Sequence, residues 1–483
     1  MSSPQTPPDV DAFVDADSLR TRFALAMSSM YKSEVSLYSD LIKIVRDVNQ
    51  QALRKTQKET GAIHASGERL TLERHGAIRL GTPYELQQVK RIFALLGMHP
   101  VGYYDLSVAG IPMHATCFRP VDMASLTRSP FRVFTTLLRP ELLKSDKTRA
   151  LAAELLAARR IFSARLVELL RAAEDQGGKL TAAQSEAFIP EALRTFGWQP
   201  VAAVSLEQYN QLKAEHPILA DVASFQSAHV NHLTPRTLDI DATQRAMQAA
   251  GIAVKSFIEG PPRRKCPILL RQTSFLALEE PVKFLLDGGQ VLVQGRHKAR
   301  FGEIEERGAA VTEKGRELYD TLLGETRAQT AGREGAVGID LIAAEIFKRY
   351  PDDWNVMRRQ GLVYCEFRCK TVPVLSPTRR SVHGPDTLLE QLISDCIVEA
   401  SPITYEDFLP FSAAGIFQSN LSAQGNTTGA EQRPAAADRE GLETAMDGPI
   451  LDAEEWYAGI QRQSLECVAS DLGLDYFDLV QIS

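Results

Sequence analysis

The segment "ERLTLERHGAIRLGTPYELQQVKRIFALLGM", residues 68–98, decides the fold class. Its first part reads as a short strand ending at Gly81. Its second part opens with Thr82 as N-cap, Pro83 at the first helical position and Glu85 at capping-box spacing. Apolar residues at helical intervals follow. Three runs come next, "PVGYYDLSV", "IPMHATCFRP" and "FRVFTTLL", rich in β-branched and aromatic residues between Gly and Pro signals, so the unit reads βαβββ. The order then returns. "HVNHLTPR" (residues 229–236) reads as a strand and "DIDATQRAMQAAGI" as a helix, while "SFIEG", "ILLRQTSFLAL" and "ARFGEIEERGAAVT" read as strands. This internal repeat rests on element order alone.

The expected architecture is α+β: two βαβββ modules at residues 67–140 and 201–314, with large helical insertions. Residues 1–66 form a tail and helices, including one helix from about Leu19 to Leu53. Residues 141–200 form a helical insertion rich in Ala and Leu. Residues 315–421 read as a helical and mixed region that completes the pocket, with "DTLLEQLISDCIVEA" helical. Residues 422–441 read as a flexible loop, and residues 442–483 as a terminal segment with a helix from about Asp452.

With 483 residues, 44% hydrophobic, 24% charged and a net charge of −7, the composition is that of an ordinary globular protein and offers no basic field for nucleic acid. No apolar run is long enough to span a bilayer, and the first residues lack a secretory signal pattern, so no membrane partner is expected and a cytoplasmic protein is. The six cysteines contain no CxxC pair; Cys365 and Cys369 in "YCEFRC" read as buried, reduced thiols.

Two histidines three residues apart in "HVNHLTPR" are, taken alone, most often just hydrogen-bonded. On a strand, His229 and His232 point to opposite faces, so only one of them can look into a given site, and periodicity does not choose between them. His75 lies at the matching place in the first module, with Arg79 on the same strand face. The closing strand of the second module, "RFGEIEERG" (residues 300–308), offers Glu303 and Glu305. Two imidazoles and one carboxylate make a facial triad that suits non-haem Fe(II) and leaves positions for substrate and O2.

Paired βαβββ modules with a histidine on each opening strand and a glutamate on the closing one resemble the vicinal oxygen chelate superfamily, whose modules build a half-barrel. In its 4-hydroxyphenylpyruvate dioxygenase and hydroxymandelate synthase branch the metal glutamate begins an E-[IV]-I-Q-R motif, which "EIEER" resembles with Glu303 first. The aliphatic-x-His-aliphatic pattern there fits "VNHL" at His232 and not "SAHV" at His229. More closely, "RHGAIR", "HVNHLTPRTLDID", "RFGEIEERG" and "FLPFSAAGIFQSNL" together resemble the 2-oxoadipate dioxygenase/decarboxylase family, the (R)-2-hydroxyglutarate synthases of lysine catabolism, from about residue 20 to residue 420.

The resemblance implies that His75, His232 and Glu303 bind Fe(II), with His75 also beside the substrate. It implies that Arg79 grips the substrate and takes part in catalysis, and that Phe411 and Ser412 contact it, a smaller aliphatic residue being expected at Phe411. The implied substrates are a 2-oxo dicarboxylic acid and O2, with C1 lost as CO2 and a hydroxyl placed beside the new carboxylate. Gln272, His229 and Glu305 are weaker candidates. His114 and His383 read as packing and loop residues, "PPRRKCP" (residues 261–267) as a solvated turn, and "DGGQ" (residues 287–290) as a hairpin turn. A metal-dependent isomerase or hydrolase of the same superfamily, or a non-catalytic 2-oxo-acid or metal-binding protein, are the alternatives.

Overall fold

Seven consecutive buried residues make β1 (Arg74–Leu80) a central strand, with neighbours on both edges. The computed structural model describes residues 12–60, 67–255, 257–286, 292–330, 336–370, 388–409 and 436–480. After β1 comes the helix Pro83–Leu95, capped by Thr82 as its side chain accepts from the Glu85 amide. Next come β2 (His99–Asp105), β3 (Met113–Arg119) and β4 (Phe131–Leu138), the βαβββ order of the sequence reading. Three helices within Asp146–Phe196 precede β5 (Val201–Ser205) and β6 (His232–Pro235).

The sheet order is β2-β3-β4-β1-β6, with β1 parallel to β4 and antiparallel to β6. His75 stands opposite Thr234 and Ala77 opposite His232. His75, Ala77 and Arg79 therefore share one face of the sheet with His232 and Thr234. The second module continues with the helix Ile240–Ala249, capped by Asp239, and then β7 (Leu270–Ser274), β8 (Glu279–Leu285), β9 (Leu292–Lys298) and β10 (Glu303–Arg307). β10 pairs with β7, and a bridge from Arg236 to Glu305 carries β10 alongside the end of β6. Gly302, just before Glu303, is required by close approach: a Cβ there would fall 1.9 Å from the Phe275 ring.

The chain forms two compact units. One comprises residues 1–259, 272–306 and 408–451 and contains the sheet just described; the other comprises residues 260–271, 307–407 and 452–483. In the second unit β11 (Cys365–Cys369) pairs antiparallel with β12 (Val398–Pro402), and the helix Ala453–Leu472 begins after Asp452 as its N-cap. No described helix is long and apolar enough to cross a membrane. All six cysteines are free. Cys365 is buried, as expected, and Cys369 only partly so.

Several elements differ from the sequence reading. The first long helix is two, Ala16–Glu34 and Tyr38–Thr60, broken where Val35 turns extended and is buried. Tyr31 and Tyr38 on either side of the break pack edge to face, 4.9 Å between ring centroids. "HVNHLTPR" is a strand only from His232, because the amides of Ala228 and Val230 donate to Thr195 and Phe196 at the end of the helix Ala182–Phe196. Among the described residues of "SFIEG", Glu259 makes an isolated bridge to Gln272 rather than forming part of a strand. "ILLRQTSFLAL" is a strand only over β7, and β8, which begins just after it, joins β5 and β9 in a three-stranded sheet that the repeat did not suggest. "DTLLEQLISDCIVEA" stops being helical at Ser394, and Cys396, in the left-handed region, turns the chain into β12. The turn at residues 287–290 lies outside the described residues.

The Tyr31 hydroxyl lies 3.0 Å from Asn231 O and 2.9 Å from Phe301 O, on the chain entering β6 and β10. Tyr31→Phe is expected to cost about 1–2 kcal/mol, since a buried carbonyl loses its donor. A lower urea midpoint with an unchanged slope checks this.

Candidate metal centre

Three strands each deliver one candidate ligand at a defined place: His75 is the second residue of β1, His232 the first of β6 and Glu303 the first of β10. All three are buried, and one donor atom from each lies within 4.8 Å of the others. His75 Nε2 is 3.2 Å from Glu303 Oε1, and the two imidazoles stand nearly perpendicular with centroids 5.2 Å apart.

Neighbouring groups set the ring nitrogens. Glu303 Oε1 accepts from Thr234 Oγ1 at 3.1 Å and from Gln272 Nε2 at 2.9 Å. Since the Thr234 hydroxyl donates to Glu303, it accepts from His232 Nδ1 at 2.9 Å, which makes Nε2 the lone-pair nitrogen of His232. Glu305 Oε2 lies 3.0 Å from His75 Nδ1 and is the charge partner of that side of the ring. His75 Nε2 faces the Glu303 carboxylate, and either a proton on the ring or a metal ion between the two groups makes that contact favourable. A metal ion suits this donor set of two imidazoles and a carboxylate.

Behind Glu305, Arg132 is fully buried and reaches both Glu305, at 3.4 Å, and Glu73, at 3.2 Å; Arg236 also pairs with Glu73. Burial alone would depress the His75 imidazole, but Glu305 and Glu303 together overcome it and hold it above the ordinary histidine range. Burial pushes His232 down to about 4. Burial also pushes the Glu303 carboxyl up, and His232 and His75 more than reverse this. Near neutral pH His232 is neutral and Glu303 ionised, the forms that bind metal. Aromatic rings shield the cluster: Phe408 packs edge-on to His75 at 4.9 Å, Phe301 stacks on His232 at 4.8 Å, and Phe134 packs on Phe408.

Arg79 lies on the same face of β1 as His75, nearly fully buried, and its guanidinium meets the Asp221 carboxylate. His229 is not in the His75 cluster; it belongs with Asp221 and His297, a second group whose donor atoms lie within 4.8 Å of one another. Of the weaker candidates, Glu305 and Gln272 therefore touch the cluster and His229 does not. Phe411, Ser412 and His383 lie outside the described residues. His114 packs edge-on to Tyr103. In "PPRRKCP", Arg264 is a staple rather than a solvated side chain, donating to the carbonyls of Phe347, Tyr350 and Pro351.

The sequence reading missed Thr234, Arg132, Phe408 and Asp221. Two of them leave a trace in the chain: Arg132 is a charge inside "FRVFTTLL", and Asp221 a charge inside the otherwise apolar helix "PILADVAS".

Residues 23–420, the span that contains all these groups, match the family model for 2-oxoadipate dioxygenase/decarboxylase. The chain belongs to this family. It is 48% identical over 467 residues to the 2-oxoadipate dioxygenase/decarboxylase of Pseudomonas putida, covering 96% of this chain and 98% of that one. It is 48% identical over 453 residues to the same-named protein of Escherichia coli, covering 93% and 98%. Among solved structures, the crystal structure of the hydroxyglutarate synthase of Pseudomonas putida in complex with 2-oxoadipate superposes with a TM-score of 0.81 at 46% identity, covering 96% of this chain and 99% of that one. Membership of the 2-oxoadipate dioxygenase/decarboxylase family makes this protein an enzyme.

Proposed function

We propose that the protein converts 2-oxoadipate and O2 to (R)-2-hydroxyglutarate and CO2, as an Fe(II)-dependent, cytoplasmic enzyme of lysine catabolism. The observation that carries this reading is the convergence of His75, His232 and Glu303 within 4.8 Å in a buried site of a chain of this family. These three residues would hold the metal. Fe(II) bound there would supply open positions for the keto and carboxylate oxygens of a 2-oxo acid and for O2.

The other residues bind, orient and exclude water. Thr234 holds His232 in the tautomer that metal binding needs, and Glu305 stands 3.0 Å from His75 Nδ1 as its charge partner. Phe408, Phe301 and Phe134 keep the site dry, which protects a reactive oxidant from side reactions. Arg79 takes the distal carboxylate of the substrate by paired hydrogen bonds and so fixes which carbon of the chain meets the oxidant. Phe411 and Ser412 complete the substrate contacts in this reading. The free thiols accord with a reducing compartment.

The reaction balances without a cosubstrate: one oxygen atom of O2 enters the new carboxylate and the other the hydroxyl. Protein loaded anaerobically with Fe(II) and given 2-oxoadipate with ¹⁸O2 is expected to consume one O2 per CO2 released and to yield 2-hydroxyglutarate carrying both heavy atoms. Product formed without oxygen uptake would instead make the enzyme an isomerase or hydrolase, and ligand binding without product a binding protein.

A further inference from the structure

Beside the metal cluster lies a second buried polar group. The carboxylate of Asp221 sits at its centre. Its Oδ2 receives Arg79 and, at 3.4 Å, Asn231 Nδ2. Its Oδ1 lies 2.8 Å from His297 Nε2 and 3.0 Å from His229 Nε2. A carboxylate only accepts, so His297 donates through Nε2. The neutral ring then accepts at Nδ1, where the Tyr209 hydroxyl stands 2.8 Å away. The hydrogen bonds therefore run in one direction, Tyr209 to His297 to Asp221, and Arg79 closes the line from the other side. Trp198 packs against both imidazoles, edge-on to His229 and stacked on His297, and Arg300 covers its other surroundings with the guanidinium 4.6 Å from the ring.

Asp221, His229 and His297 have the composition of a metal site, and their charge balance speaks against one. The single carboxylate is already neutralised by the Arg79 guanidinium, and a divalent ion would be placed against that fixed positive charge. The carboxylate serves the arginine instead. Arginine has several rotatable bonds and five donors, and a partner held from three sides fixes both its rotamer and the plane of its fork.

We propose that Asp221 is the positioning residue for Arg79, held in place by His297 and Tyr209, and that through Arg79 it sets the preference of the enzyme for a 2-oxo acid with a distal carboxylate. This rests on the assignment of Arg79 as the clamp for that carboxylate. The line reaches from the helix Leu206–Glu215 and β9, elements outside the βαβββ order, to a side chain on β1, which gives the β5-β8-β9 sheet a role in substrate choice. Misplacement of a positioning group by about 1 Å can cost on the order of 100-fold in rate, so losses of that size are within reach of a change that never touches substrate.

The test compares kcat/KM for 2-oxoadipate with that for 2-oxohexanoate, which has the same chain length and no distal carboxylate, in iron-loaded Asp221→Asn, Tyr209→Phe and Arg79→Met proteins. Asp221→Asn is expected to lower the ratio by roughly 10–100-fold, chiefly by loss on 2-oxoadipate, with 2-oxohexanoate turnover and iron content kept. Tyr209→Phe, which leaves Asp221 intact and is the readout if Asp221→Asn does not fold, is expected to move the ratio the same way by a smaller factor. Equal losses on both acids, or an unchanged ratio in both variants, would overturn the proposal in favour of a purely structural ion pair. So would a second equivalent of iron or zinc that binds wild type and is lost in Asp221→Asn. Arg79→Met separates the two levels: if it leaves the ratio unchanged, the clamp assignment itself is wrong. If it collapses the ratio while Asp221→Asn and Tyr209→Phe do not, the clamp stands and only the positioning role falls.

Discussion

Glu303→Gln is expected to leave a folded protein that no longer retains iron and no longer turns over. The amide keeps the size of the side chain, and its carbonyl oxygen can still accept from Thr234 and Gln272, which bond Glu303 Oε1 at 3.1 and 2.9 Å. What it loses is the negative charge that, with the two imidazoles, makes the site attractive to a divalent cation. Glu305→Gln is the informative partner. Glu305 lies 3.0 Å from His75 Nδ1 and stands behind the ligand, so its loss is expected to weaken metal binding by roughly 10–100-fold, the range typical of partners that orient a metal-bound histidine. The effect of Glu303→Gln should exceed that range. Metal content after gel filtration and initial rates at graded iron concentrations measure both. Added iron is expected to restore Glu305→Gln and not Glu303→Gln. The reverse ranking would move the ligand to Glu305.

Arg132→Met is expected to destabilise the fold by about 3–5 kcal/mol, the usual penalty for stranding a buried charge by removing its partner. Arg132 has no exposed side-chain surface and pairs with two carboxylates, Glu73 and Glu305, that are themselves fully buried. Against a total stability of about 5–15 kcal/mol for a typical domain, such a loss is visible as a large drop in urea midpoint. Arg132→Lys should recover only part of it, because a point-like ammonium cannot span two carboxylates as a planar fork does. Since Glu305 is one of the two carboxylates, iron affinity is expected to fall together with stability. Tyr31→Phe, which touches the same strands from the helix side, should lower stability far less.

Much of the metal cluster was legible in the chain because strands carry side chains in a period of two. Arg79 follows His75 by four residues and shares its face, and all of β1 is buried. For His232 the same periodicity was the wrong physics. His229 precedes the strand, tied by neighbouring amides to the end of the helix Ala182–Phe196, so its exclusion from the cluster owes nothing to strand alternation. Glu303 and Glu305 could not be separated by pattern, since both point to one face; the distances to His75 Nε2 and Nδ1 distinguish their places.

The resemblance of "VNHL" and "EIEER" to family motifs, rather than pattern, singled out His232 and Glu303; by itself the sequence determined the α+β class, the βαβββ order of the first module and the capped helix after β1. These depend on local rules, namely alternation, capping and turn residues, that act over a few neighbouring positions. Only the tertiary structure decided which groups stand behind the cluster. Arg132 meets Glu305 across 173 positions of chain, His297 meets Asp221 across 76 and Arg79 meets Asp221 across 142. Buried charges find partners wherever folding brings an opposite charge or a hydrogen-bond donor within reach, and no local period records that distance.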